Sequence, residues 1–398
     1  MSIVSADIIQ LKSDILILIE NSLPHLTVKL ISSTGALLTG GTLQYYDGSW
    51  KNAVNNNNGT FTVSTTKSSV HLKMTYEYGT QQINNVTIGS GDTAVFQTIN
   101  TQVQLKNSAG NLIDQGTVQY YVTSWQNFGT TNNGIAVKEL LPANYTFKIT
   151  YADGSNSKQQ NITVNNGVVT FQTIPVQVKL QNSSGNPLDV GTVDYYVTAW
   201  RSFGTTTNGT ATKELLSGNY TFRMKYADGS INKQQTISSE NALVTFQTVP
   251  VQVKLQNSHG NLIDTGIVDY YVTAWRRFGI TSNGIATKEL LPTNYTFRVT
   301  HQSLSNNKQQ NIASSNIVTF STVATTVNVK NAQNNPINNA TVTYNVGSWK
   351  NFGTTNASGS IVRELLPVNL TLRATSGTMQ KTVTQNTANN PTVEIQLP

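Results

Sequence analysis

Five tryptophans, Trp50, Trp125, Trp200, Trp275 and Trp349, stand 75, 75, 75 and 74 residues apart. Each lies in the same phrase. In the third copy, Val176-Gln-Val-Lys-Leu-Gln-Asn-Ser183 leads to Gly191-Thr-Val-Asp-Tyr-Tyr196, Trp200, Phe203-Gly204, Asn208-Gly209, Lys213-Glu-Leu-Leu216, Asn219-Tyr-Thr-Phe222 and Val244-Thr-Phe-Gln-Thr248. A fixed period restricts the chain to a row of like units, each touching only its neighbours. Divided at the repeat, the chain gives segments 25–99, 100–173, 174–248, 249–322 and 323–398 behind an N-terminal piece, 1–24. The outer copies drift. The first has Asn55 to Asn58 and Thr62 to Lys67 in place of the Phe-Gly turn and the Lys-Glu-Leu-Leu strand, and the last has Asn345 for the second tyrosine. Terminal units of an array depart in this way when their outer faces meet solvent or another partner.

Each unit reads as β throughout. Val176, Val178 and Leu180 alternate with Gln177, Lys179 and Gln181, the pattern of a half-buried strand. Tyr195 and Tyr196 are expected on opposite faces, because strand side chains alternate. Ser184-Gly-Asn-Pro187 is turn chemistry, and Asn208-Gly209 and Asp228-Gly229 are hairpin signals. Six or seven short strands per unit, with turns every 8–12 residues, predict a sandwich. The fold class is therefore all-β: five tandem Ig-like β-sandwiches in a rod. The last strand of one copy runs into the first of the next with no Gly/Ser tract, so a linker of two or three residues containing Pro175 or Pro250 is expected to restrict rotation.

From the Gly-Asn turn to the Leu-Leu-x-x-Asn-Tyr-Thr-Phe phrase, each unit resembles the prealbumin-like domains, among them carboxypeptidase regulatory-like modules and B-type repeats of Gram-positive surface adhesins. The residues are Asn186-Pro187-Leu188, Gly191-Thr192-Val193, Asn208-Gly209 and Leu216 to Phe222, and the pattern covers about 370 residues. The resemblance implies a seven-stranded sandwich used as a surface stalk or spacer. It also implies a site for a Lys–Asn isopeptide bond near Lys106, Lys179 and Lys254. Here the chain departs from the pattern: Lys148, Arg223 and Arg298 follow the Tyr-Thr-Phe strand where the promoting acid should be, and the last strand offers Gln247 rather than Asn.

Composition removes several function classes. Charged residues are 11% of the chain, and the formal charge of +7 is spread singly, with Arg276–Arg277 the densest pair. Nucleic-acid binding needs cations gathered on one face. Cysteine is absent, so disulfides and thiolate chemistry are too. His25, His71, His259 and His301 do not pair at metal spacing, and no enzyme activity, metal or cofactor is expected. Glu139, Glu214, Glu289 and Glu364 recur once per unit after a cation and are expected on a charged strand surface. No run is long enough for a membrane span and no secretory signal is visible; an extracellular or cell-surface location is expected, with a virion the alternative.

Two sets of surface residues remain. One large aromatic per sandwich is read first as core; the other reading makes Trp50, Trp125, Trp200, Trp275 and Trp349 a ligand platform whose faces stack on sugar rings. Eleven Asn-x-Ser/Thr sequons include Asn144, Asn161, Asn219, Asn294 and Asn369, candidate glycosylation sites in a competent host.

Residues 1–24 belong to no repeat and are the expected assembly segment. As a helix, Val4, Ile8, Leu11, Ile15 and Leu18 form a heptad seam. As a strand, Ile15-Leu16-Ile17-Leu18-Ile19 mimics the end of a repeat and could complete a sandwich of another molecule, with composition tilting toward the strand. The function expected is a structural or adhesive surface rod or filament subunit, self-associating through this segment. The alternatives are a carbohydrate-binding array, with surface glycans as partners, and a phage or viral fibre component.

Overall fold

The computed structural model describes residues 23–398 except Ser90, together with Gln10 and Lys12, both with helical backbone. The assembly residues Ile8, Leu11, Ile15, Leu16, Ile17, Leu18 and Ile19 lie outside the described residues. Among the described residues no helix is long and apolar enough to cross a membrane.

Ten sheets form, two per repeat. In the third unit the first strand, Ile174–Gln181, lies between the fourth, Thr210–Leu215, and the seventh, Leu243–Gln247. It pairs antiparallel with the fourth and parallel with the seventh. The second sheet carries the third, second, fifth and sixth strands in that order: Trp200–Thr205, Thr192–Tyr196, Gly218–Tyr226 and Gly229–Ile237. The alternation predicted for the first strand holds, with Val176, Val178 and Leu180 buried. Tyr195 is buried and Tyr196 exposed, as strand geometry requires.

Two turn signals resolve differently. Ala227-Asp228 forms the two-residue loop of a hairpin, both residues at positive φ, and Gly229 opens the following strand. Asn208-Gly209 also has two positive φ angles, but it links a strand of one sheet to a strand of the other. The Phe-Gly segment is a β-bulge: Val193 faces Gly204 while Asp194 faces Ser202, so Phe203 has no opposite residue and turns into the core. The first unit reaches the same filling by exchange. Ala53 stands where the others have this phenylalanine, and Phe61 stands where the second, third and fourth units have Ala136, Ala211 and Ala286 and the fifth has Ile361.

Opposite ends of the first strand meet different neighbours. In the second unit Ile99–Lys106 has eight residues, about 26 Å of extended chain at ~3.3 Å per residue. Asn100, near its start, pairs with Glu139, which faces the preceding unit; Ser108, just past its end, faces the following one. The units therefore stack end to end along this strand.

Candidate functional site: the joint between units and the tryptophan face

A single residue separates the last strand of one unit from the first of the next: Thr98, Thr173, Thr248 or Thr322. The linker is thus shorter than expected, and Pro175 and Pro250 lie inside first strands, opposite Glu214 and Glu289. All four threonines are buried. Their N–H groups donate to the carbonyls of Ile31, Lys106, Gln181 and Gln256 at 2.9–3.0 Å, which ties each link to the unit it leaves.

Their hydroxyls reach the other way. Thr173 Oγ1 donates to Glu214 Oε2 at 2.5 Å, and Ser108 donates to the same carboxylate through Oγ at 2.5 Å and its N–H at 3.3 Å. Glu139 is held likewise by Thr98 and Ser33, Glu289 by Thr248 and Ser183, and Glu364 by Thr322 and Ser258. The recurrent glutamate is therefore a clasp on the preceding unit rather than a free charged surface. Hydrogen bonds to an ionised acceptor are the stronger kind, and here three converge on Glu139, Glu214 and Glu364 and two on Glu289. Burial disfavours the charged form of Glu364, but the Ser258 and Thr322 bonds outweigh it and hold the carboxyl below its ordinary range.

Beside the clasp lies an apolar plug. Leu141, Leu216 and Leu291 follow the fourth strand of their own units, yet they pack in the cores of the units before them. At the fourth joint the two cores form one continuous cluster, which includes Leu366. A unit of about 75 residues is near the lower limit for a self-sufficient core, so a leucine supplied by a neighbour matters, at about 2 kcal/mol for full burial. Tyr145 and Tyr220 donate their hydroxyls to the plug carbonyls of Leu141 and Leu216 at 2.9 and 2.8 Å. Each tyrosine rests on a hairpin glycine of the preceding unit: Gly79, Gly154 and Gly229 face Tyr145, Tyr220 and Tyr295. Further out, Lys138 pairs with Glu77 at 3.0 Å and Arg201 with Asp153 at 2.6 Å.

Among the described residues, clasp and plug are found at the boundaries between units. By strand register, the first unit carries Ser64, Thr66 and Val70 at the positions of Glu139, Leu141 and Tyr145. The fifth carries Ala332 and Leu397 at the positions of Ser33 and Thr98, the Leu397 N–H bonding to Lys330 O just as Thr98 bonds to Ile31.

The tryptophans are not core. Trp50, Trp125, Trp200 and Trp275 are 37–39% exposed, and no tryptophan belongs to a buried cluster. Each opens the edge strand of the four-stranded sheet on its outer face; in the last four units the inner position is filled by the bulge phenylalanine. A cation lies over every ring: Lys73, Lys148, Arg223, Arg298 and Arg373 are 4.1–4.5 Å from the centroids of Trp50, Trp125, Trp200, Trp275 and Trp349. Tyr46, Tyr121, Tyr196 and Tyr271 pack beside the first four rings at 5.4–5.5 Å. In the third and fourth units the arginine is fixed by Asp194 at 2.7 Å and by Asp269 at 2.9 Å.

Asn144, Asn161, Asn219, Asn294 and Asn369 are all exposed, and Asn144 faces Asn161 across two paired strands. Lys106, Lys179 and Lys254 are not buried; the buried polar residues among those described are all serine or threonine. Among the described residues, no three His, Cys, Asp or Glu side chains gather into a metal-binding group.

No protein-family model and no curated protein matches the chain. Among solved structures it is similar to the Bacillus anthracis TIE protein, at 16% identity over 71% of this chain and 66% of that one, with a TM-score of 0.18. It is also similar to BcpA, the major pilin subunit of Bacillus cereus, at 10% identity over 56% of this chain and 98% of that one, TM-score 0.18. A third is the pilus adhesin SpaC from Lactobacillus rhamnosus GG in its open conformation, at 10% identity over 90% of this chain and 54% of that one, TM-score 0.20. The chain thus spans less than two thirds of the TIE structure and about half of the SpaC structure.

Proposed function

We propose that this chain is a stiff structural or adhesive spacer at a cell surface, holding whatever lies at its two ends a fixed distance apart. One observation carries the reading: at all four joints a one-residue link, a glutamate clasp and a leucine plug lock each unit to the next. A chain needing only separate domains would be served by flexible linkers. Five compact units of about 30 Å in line give a rod of roughly 150 Å.

Small-angle scattering on the unmodified protein and on E139A/E214A/E289A/E364A tests this. The unmodified chain is expected to scatter as a rod near that length, and the variant as a bent ensemble with intact β circular dichroism. A compact globule, or a variant as stiff as its parent, would overturn the proposal. Surface labelling of intact cells of the source organism tests the location. Within this reading residues 1–24 serve attachment or self-assembly. Their deletion should remove any higher-order species in sedimentation, and a parent that stays monomeric at high concentration would end that part.

A further inference from the structure

The clasp residues do not recur in every unit: the first carries Ser64 at the glutamate position and the fifth Ala332 at the serine position. The tryptophan with its cation follows another rule and is kept in all five units. The fifth unit has lost the neighbouring tyrosine, to Asn345, and the acid, to Thr343, yet it keeps Trp349 and Arg373. The pair therefore serves something each unit does by itself. Core filling is not that role, since phenylalanine and tyrosine complete every interior without it.

We infer that the five tryptophan faces are glycan platforms, each taking one sugar ring of a repetitive polysaccharide. Indole offers a flat apolar surface matching the C–H face of a pyranose. The cation and the paired strand beside it fix the ring's orientation before any ligand arrives, which lowers the entropy lost on binding. In the third unit Tyr196, Arg223 and Thr221, cross-strand from Tyr196, supply hydroxyl and guanidinium groups around the ring for sugar hydroxyls. The surroundings speak against other occupants. In the third and fourth units Arg223 and Lys225 are engaged by Asp194, and Arg298 by Asp269, which leaves little free positive charge for phosphates at those two faces. The rings are bordered by charged side chains, unlike the charge-depleted centre of a protein interface. Identical weak sites at fixed intervals on a rigid support gain most from a ligand that itself repeats.

The sequence contains five tryptophans, all of them at these faces, so the emission of the unmodified protein reports the platforms alone. A glycan microarray selects ligands, and titration with chitohexaose, cellohexaose and any oligosaccharide the array retains is followed by tryptophan fluorescence. The expected result is retention of at least one glycan class with quenching or a blue shift. A variant keeping Trp200 alone (W50A/W125A/W275A/W349A) should hold the immobilised polymer about 100-fold more weakly than the parent. Trp→Thr at the same four positions, which removes the ring but suits a strand, serves if the alanine variant does not fold. Retention of no glycan, binding without an emission change, or an emission change produced by concentrating the protein alone would each overturn the inference, the last by showing that the faces join rods to one another. A chain that scatters as flexible yet responds to glycan would sink the rod and leave the platforms standing.

Discussion

At Gly229 a Cβ would lie 2.1 Å from the Tyr295 hydroxyl oxygen of the next unit. That hydroxyl has no hydrogen-bond partner, whereas its counterpart on Tyr220 bonds to Leu216 O. The two facts separate space from bonding. Gly229→Ala is expected to destabilise by about 1–3 kcal/mol through overpacking. Tyr295→Phe alone should be close to neutral, because it removes an oxygen that satisfies nothing, and it should rescue much of the G229A loss. Tyr220→Phe should cost about 1 kcal/mol. Urea unfolding of the four variants reads this directly; a G229A protein as stable as its parent would mean the joint is looser than its geometry. None of it was legible in the sequence, where glycine after Ala-Asp looks like hairpin chemistry and the tyrosine like core. Glu214 was hidden for a similar reason: Ser108, which clasps it, lies 106 residues earlier in the chain, so adjacency in sequence showed only Lys213 and an ordinary charged strand.

The strands themselves were readable because burial alternates along them, and so was the placement of Tyr195 and Tyr196 on opposite faces, though not which of the two is buried. What alternation does not accommodate is a pair of adjacent leucines. In Leu140-Leu141, Leu215-Leu216, Leu290-Leu291 and Leu365-Leu366 both members cannot face their own interior, and the second leaves its unit altogether. That doublet was the available signal for the joint. Leu216→Ala is expected to cost about 2–5 kcal/mol, and the loss should appear as earlier unfolding of the second unit although the residue belongs to the third. Hydrogen exchange resolves the two; protection lost only in the third unit would refute the plug. The clasp adds a pH dependence at the fourth joint. Because the Glu364 carboxyl is depressed in the folded state, its contribution is present at neutral pH and fades as pH falls through its folded value. Acid should therefore loosen that joint in the parent, while Glu364→Gln should be looser at neutral pH and change less on acidification, as followed by scattering from pH 7 to 3.

Repeats that share cores across their boundaries unfold as a coupled row, and their order then becomes part of the structure. The first three joints set a hairpin glycine against a tyrosine; the fourth sets Leu304 against Leu370 at the same two positions, both buried. Removing residues 174–248 would join Thr173 to Val249 and bring Ser108, Gly154 and Asp153 against Glu289, Tyr295 and Arg276, a full set of matched parts. Asn156 would meet Pro292, a pairing the fourth joint already makes between Asn306 and Pro367 O at 3.1 Å. Removing residues 249–322 would shorten the molecule equally but place Gly229 opposite Leu370, leaving a void where Leu304 had been. The first deletion is expected to keep the parent's resistance to urea per joint, and the second to lose about 2–5 kcal/mol at the new junction. Gly229→Leu should then act with opposite sign in the two backgrounds, filling the void in the 249–322 deletion and clashing with Tyr295 in the intact chain. If the two deletions prove equally stable, or if G229L harms the 249–322 deletion as it does the intact chain, the joints do not discriminate among neighbours and unit order carries no structural information.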